Sequence, residues 1–213
     1  WIEGVDLSTG GAVLVPFEAV TLSCVLATGQ RPAIVPSSNG LASGNHLLEA
    51  TVHGLCEVIE RDAVAKWQRA GGSAGGVGKL DLPRIEDPAC AEVIRRIQTA
   101  AVGVAAFDIT SDLGIPAYAV EVFDGGVDPA SWRTGAFGGY GAHPAPEIAL
   151  LRALTEAVQS RLTFLSGSRD DLFRERYSAP KALLAGHVRR VEAAPASADF
   201  GARRSLSTPS FEG

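Results

Sequence analysis

A chain of 213 residues, 46% hydrophobic and 20% charged, has the size and make-up of one substantial globular domain or two small ones. Acidic residues outnumber basic ones 24 to 19, and the net charge of −5 offers no basic footprint for nucleic acid or an anionic membrane. No apolar run reaches the roughly 18 residues of a membrane span, and no signal-peptide pattern is seen. Cys24, Cys56 and Cys90 form no CxxC pair, which argues against zinc and leads us to expect buried, reduced thiols in a cytoplasmic protein. The chain starts at Trp1 and contains no methionine, so a fragment of a longer protein is expected.

Residues 1–26 hold two apolar segments, WIEGVDL and GAVLVPFEAV, around Gly10-Gly11. They predict a β-hairpin whose second strand ends at Val15-Pro16-Phe17-Glu18. Residues 27–38, with Pro32 and Pro36, read as a loop. The stretch Asn39–Trp67 opens in a glycine-containing loop and continues as a helix of about six turns. At 100° per residue, Glu49, His53, Glu57 and Glu60 fall within an arc of about 80°. Leu48, Val52, Leu55, Ile59, Ala63 and Trp67 read as its buried face.

Like charges three or four residues apart destabilise a helix by about a few tenths of a kcal/mol each. Only Arg61 stands beside this stripe. A cation relieves the repulsion, and oxygen-only ligands favour a hard ion such as Mg²⁺. A solvated acidic face, or a structural Mg²⁺ or Ca²⁺ site, remains an alternative. Residues 37–45 can present backbone N–H groups to an anion at the helix N-terminus.

Gly71–Lys79 looks like a phosphate loop, but Ser73 stands five residues before Gly78 and Leu80 replaces the required Ser or Thr, so a flexible surface linker is predicted. Asp87-Pro88 caps a helix running to about Ala101. Val102–Ile109 and Ile115–Phe123, joined by a turn at Ser111–Gly114, form a second hairpin. Asp108 and Asp112 read as turn-formers, and residues 124–141 as loop. A second long helix runs from Pro146 to about Phe164, with Pro146 and Glu147 as ordinary N-terminal signals. Glu156 and Gln159 share one face with Arg152, Arg161 projects to a flank, and Leu150, Leu154, Val158 and Leu165 form the packed side. Beyond Tyr177 a fragmentary or partly ordered tail is expected. Hairpins and helices without a βαβ series make the fold α+β. Cys56 and the turn residues His46 and His143 read as structural, His187 as surface. His53 is either structural or a proton carrier.

Two stretches carry a resemblance. NGxAxGxxxxEAxxxGxxExxER, with Glu57, Glu60 and Arg61, and a glycine run followed by RALTExxQxR, with Glu156, Gln159 and Arg161, resemble the two signatures of the YcaO family. His53 stands where a serine is common in that family. The run LSGSRDDLFRERY is most similar to the TfuA-associated members. The resemblance covers about residues 37–177, two thirds of the chain.

It implies an ATP-binding YcaO-type catalytic domain over residues 1–177, with truncation at the N-terminus left open, and a C-terminal extension over 178–213. It implies ATP and Mg²⁺ as cofactors. Glu57, Glu60, Glu156 and Gln159 would face each other around the metal, and Arg61 and Arg161 would offer forked donors to phosphate. The implied reaction is ATP-dependent phosphorylation of a peptide backbone amide oxygen followed by attack of a nucleophile on the amide carbon. Sulfide would give a thioamide, with a TfuA-like partner, and this branch is favoured. A Cys, Ser or Thr side chain would give an azoline ring. An accessory role in methylthiolation, or a nucleotide- or peptide-binding domain without turnover, are the remaining readings. No catalytic base stands out, and whether the chain forms a homodimer stays open.

Overall fold

Asp6 organises the first turn: its carboxylate accepts the Ser8 and Thr9 amides, and its carbonyl accepts the Gly10 N–H at 2.7 Å. The strands it joins, β1 (Ile2–Val5) and β2 (Ala12–Val15), pair antiparallel with Ile2 opposite Val15. Pro16 then ends the second strand, as the hairpin reading requires, and a short 3-10 turn follows at Phe17–Ala19. The structure, a computed structural model, describes residues 1–22, 33–34, 37–124, 135–168 and 181–208. Two compact units are distinguished within it, Trp1–Val58 and Ile59–Gly213.

The long helix α1 (Leu47–Arg69) starts in the first unit and ends in the second. Its first turn is closed by side chains. His46 Nδ1 accepts the Leu48 amide at 3.2 Å, and Glu49 reaches back to the Asn45 amide at 2.8 Å, satisfying donors that the helix cannot. Gly54 lets residues 40–42 lie against the helix, since a Cβ there would meet the Gly40 carbonyl oxygen at 2.7 Å.

The second unit is built on a sheet of order β3-β4-β5, all antiparallel: β3 (Val102–Asp108), β4 (Ala117–Asp124) and β5 (Ala136–Ala142). Strand alternation sends Tyr118, Val120 and Val122 to one face, under α3 (Pro88–Thr99) and α4 (Pro146–Ser166). It sends Ala117, Ala119 and Phe123 to the other, under the end of α1 and α5 (Lys181–Ala193). Leu150 and Leu154 are fully buried on the first face, each contributing about 1.5–3 kcal/mol. On the second, Trp67 packs on Phe107 with ring centroids 5.3 Å apart. The Asp87 carboxylate accepts the Cys90 amide at 2.8 Å and starts α3 as expected. The α+β organisation is that read from the sequence. Among the described residues no helix is long and apolar enough to cross a membrane.

Five expectations change. Residues 124–141 are not wholly loop, because β5 lies within them. Its glycines are there for packing: a Cβ on Gly139 would run into the backbone of Ala153 and Ala157, and one on Gly141 into that of Ala149 and Ala153. Gly71–Lys79 is not a flexible linker. Gly72–Gly75 forms one helical turn, α2, with Ser73 buried, and Lys79 Nζ donates to the carbonyls of Val191, Glu192 and Ala194 at 2.7, 3.0 and 2.7 Å. The charge thus closes the C-terminal end of α5. The tail after Tyr177 contains α5, whose Ala185, Val188 and Val191 enter the core.

On α1, Leu48, Val52 and Leu55 are exposed, whereas Cys56, Glu60, Ala63 and Val64 are buried. The inward line of the helix runs through the small residues and draws one of the acidic side chains inside. On α4, Val158 and Leu165 are exposed: Ala149, Ala153 and Ala157 carry the contact with β5, and the helix reaches the start of that strand where Phe164 meets Phe137. Cys24, residues 27–32 and 35–36 of the first loop, and the run from Arg169 to Tyr177 lie outside the described residues.

Candidate functional site

The acidic stripe of α1 is met first by its own chain. The Glu57 carboxylate accepts the Gly40 amide at 3.2 Å, as Glu49 accepts that of Asn45. Two amides of the loop that could have bound an anion are therefore engaged by the helix that follows them, and these donors ease the repulsion along the stripe. His53 Nδ1 lies 3.4 Å from the Ser43 carbonyl oxygen.

Within the second unit, Glu60 is buried, 4% exposed, with the Arg61 guanidinium 3.7 Å from its carboxylate. A carboxylate keeps its charge at that depth only with such compensation. From α4, Glu156 accepts the Tyr140 backbone N–H at 3.0 Å and so occupies an outward-facing donor of the edge strand β5. Arg161 donates to Asp124 at 3.1 Å, and its Nε is buried without a hydrogen-bond partner among the described residues. Gln159 is exposed.

Tyr140 joins these groups. Burial pushes its phenol up, a hydrogen bond with Gln68 opposes that, and the charges of Glu121, Glu156 and Arg61 all act on it. Glu156 of α4 thus holds the backbone of the strand whose Tyr140 side chain lines a cleft with Gln68 from the end of α1. Glu60, Arg61, Glu156 and Arg161 are all held by partners within this unit. Among the described residues no three His, Cys, Asp or Glu side chains form a group that could hold a metal ion. Chemically these residues offer hard oxygen donors and two forked cations, the kinds of group that a divalent ion and its phosphates use.

Sequence reasoning missed Tyr140, Asp124, Glu121 and His187. His187 is not a simple surface residue: its Nε2 lies 2.9 and 3.0 Å from the two Glu121 carboxylate oxygens, and its side chain is 26% exposed. An aromatic residue inside a glycine run was the available signal for Tyr140. The other pairs join positions 37 and 66 residues apart, which no local pattern reveals. His143, in contrast, is the local hydrogen-bonding residue expected, accepting the Ala145 amide at 2.9 Å.

A family model, YcaO cyclodehydratase, ATP- and Mg²⁺-binding, matches residues 1–212. A protein encoded in the tfuA 3′ region of Rhizobium leguminosarum bv. trifolii is 41% identical over 175 residues, covering 80% of this chain and 41% of the relative. The chain spans less than half the length of the curated relatives it matches. A heterocyclase solved in complex with substrate and cofactor superposes with a TM-score of 0.72 at 26% identity, over 97% of this chain and 27% of that one. YcaO from Methanopyrus kandleri, solved with AMPPCP and Mg²⁺, superposes with a TM-score of 0.69 at 22% identity, over 98% of this chain and 52% of that one, and shares the fold.

Proposed function

The chain belongs to the YcaO family, and from that membership we propose that it acts in the ATP- and Mg²⁺-dependent activation of a peptide backbone amide. The observation that carries this reading is the hold of Glu156 on the Tyr140 backbone N–H, in the same unit as the buried Glu60 and its neighbour Arg61. The residues fit the cofactor. Arg161 Nε is a buried donor without an acceptor among the described residues, the kind of vacancy a phosphate oxygen fills. Mg²⁺ takes one or two protein carboxylates and completes its shell with phosphate and water, so it needs no three-carboxylate cage.

In this proposal Glu57, Glu60, Glu156 and Gln159 serve the metal, and Arg61 and Arg161 the phosphates. When bound, MgATP supplies the phosphoryl group that makes the amide oxygen a leaving group. Asp124 holds Arg161 in place, and the Tyr140 backbone N–H holds Glu156. Such chemistry asks for positioning and charge compensation more than for a covalent protein group.

Sulfide as nucleophile would yield a thioamide. The 41% identity to a protein of the tfuA region supports this branch, with a TfuA-like protein as partner. The likeness to a heterocyclase supports a second reading, in which a Cys, Ser or Thr side chain of the substrate closes an azoline ring.

Calorimetric titration with AMPPCP, with and without Mg²⁺, tests the site. Mg²⁺-dependent binding weakened at least about tenfold, or 1.4 kcal/mol, in both Glu60→Gln and Glu156→Gln is expected. Unchanged binding in both variants would refute it. Adding the protein, MgATP and sulfide to an extract of a deletion strain then separates the branches by mass spectrometry: oxygen exchanged for sulfur in a peptide marks the thioamide, loss of water the azoline.

A further inference from the structure

His187 on α5 and Glu121 on β4 stand outside the residues assigned to nucleotide and metal. They line a cleft of about 340 Å³ together with Trp67, Gln68, Ser73 and Tyr140. Both side chains are largely covered, at 26% and 16% exposure. An ionised carboxylate only accepts hydrogen bonds, and both Glu121 oxygens lie within 3.0 Å of His187 Nε2. The proton of a neutral imidazole therefore resides on Nε2, and the lone pair is left on Nδ1. Nδ1 has no hydrogen-bond partner among the described residues. The cleft shares Tyr140 with the proposed nucleotide site, since Tyr140 lines the cleft and its backbone N–H is held by Glu156.

We propose that His187 is the proton acceptor of the amide-modifying reaction and that Glu121 is the positioning residue that sets its tautomer. The inference rests on the function proposed above. The nucleophile enters as a thiol, hydrosulfide or alcohol. Once the amide oxygen is phosphorylated, the S–H or O–H proton passes to Nδ1, the electron pair left behind forms the bond to the amide carbon, and the C=N π pair moves to nitrogen. That pair then re-forms a π bond to carbon as phosphate leaves with the C–O pair, and the remaining N–H or S–H proton goes to solvent. His187 becomes an imidazolium held against Glu121, an ion pair that stabilises the charge as it develops. The titratable groups facing His187 are Glu121 on β4 and Tyr140 on β5, with Gln68 from α1 and Ser73 from α2 as neutral neighbours.

Three measurements on the full chain decide this. Long-range ¹H–¹⁵N spectra, with His187 assigned by its loss in His187→Gln, are expected to show the Nε2–H tautomer, and Glu121→Gln to mix the two tautomers while Glu121→Asp retains the first. An Nδ1–H tautomer in the unmodified protein overturns the proposal. Diethyl pyrocarbonate is expected to label His187 as well as the exposed His46, whereas a purely structural pair stays unlabelled, which would also overturn it. His187→Gln, with His187→Asn as the second variant, is expected to bind AMPPCP and Mg²⁺ within about twofold of the unmodified protein and to lower product formation at least about a hundredfold. Product at the original rate, or lost nucleotide binding, overturns the assignment. Retained AMPPCP binding in Glu60→Gln and Glu156→Gln counts instead against the nucleotide site, and the tautomer and labelling results stand apart from it.

Discussion

Replacing Gly139 by alanine adds one methyl group at the tightest point between α4 and β5. A Cβ there would overlap the Ala157 amide nitrogen and the Ala153 carbonyl oxygen, both backbone atoms that no rotamer change can move. Burying a methyl group would ordinarily stabilise by about 0.8 kcal/mol. Overpacking costs about 1–3 kcal/mol, and here the upper end applies because the obstruction is a helix backbone. The net loss is about 2 kcal/mol, which in a protein of this size lowers Tm by about 4–8 °C.

The same displacement carries Glu156 away from the Tyr140 amide, now 3.0 Å distant, so Mg²⁺-dependent AMPPCP affinity falls with stability. Gly138→Ala is the control, because its added atom meets only the Tyr140 hydroxyl at 3.2 Å, at the end of a side chain that can yield. Thermal unfolding followed by circular dichroism provides the numbers. A Gly139→Ala variant within about 1 °C of the parent, or a Gly138→Ala variant that falls as far, would refute the packing account of these glycines.

Burial holds the His143 imidazole below its ordinary range, ahead of the opposing hydrogen bond from Ala145. The unfolded chain therefore binds the proton more readily. Stability from this group is complete above the unfolded value of about 6.5 and is lost as pH falls below it towards the folded value. Thermal melts between about pH 7.5 and about pH 5 should show this decline, and His143→Gln should flatten it. Cys90, fully buried, has its thiol pushed up to about 12 by burial. At pH 8 its alkylation by iodoacetamide should be about three orders of magnitude slower than that of a free thiol, rising to the free rate in denaturant. Peptide mass spectrometry over time gives both rates.

The parts of the fold that were legible are those fixed by neighbours in sequence. The Asp87 cap, the Pro146 start, the turn at Ser111–Gly114 and the 3.6-residue period of α4 each state their own geometry. β5 was not legible, because Gly138, Gly139 and Gly141 look like loop until the alanine face of α4 is placed against them. The burial of Glu60 was hidden for the same reason: an apolar line through Leu48, Val52 and Leu55 outscores a line of small residues in any count of hydrophobicity, yet small residues let a helix approach a sheet. At the site, the carboxylates and arginines were visible as motifs. Their partners were not, since Asp124 and Arg161, or Glu121 and His187, meet only through the sheet.

Lys79 has a consequence for the order in which the molecule forms. Its three acceptors lie at residues 191–194, more than a hundred positions later, and Ser197 and Ala198 donate back to its carbonyl. Closing so long a loop is entropically slow. Until residue 194 has been synthesised, Lys79 lacks its three acceptors, and the sheet face bearing Phe107 and Ala119 lacks the Val188 and Val191 that help cover it. This face therefore closes late, after the α3–α4 side can already have assembled, and a ribosome paused before α5 would hold a nascent chain whose sheet face is covered by the end of α1 but lacks the cover of α5.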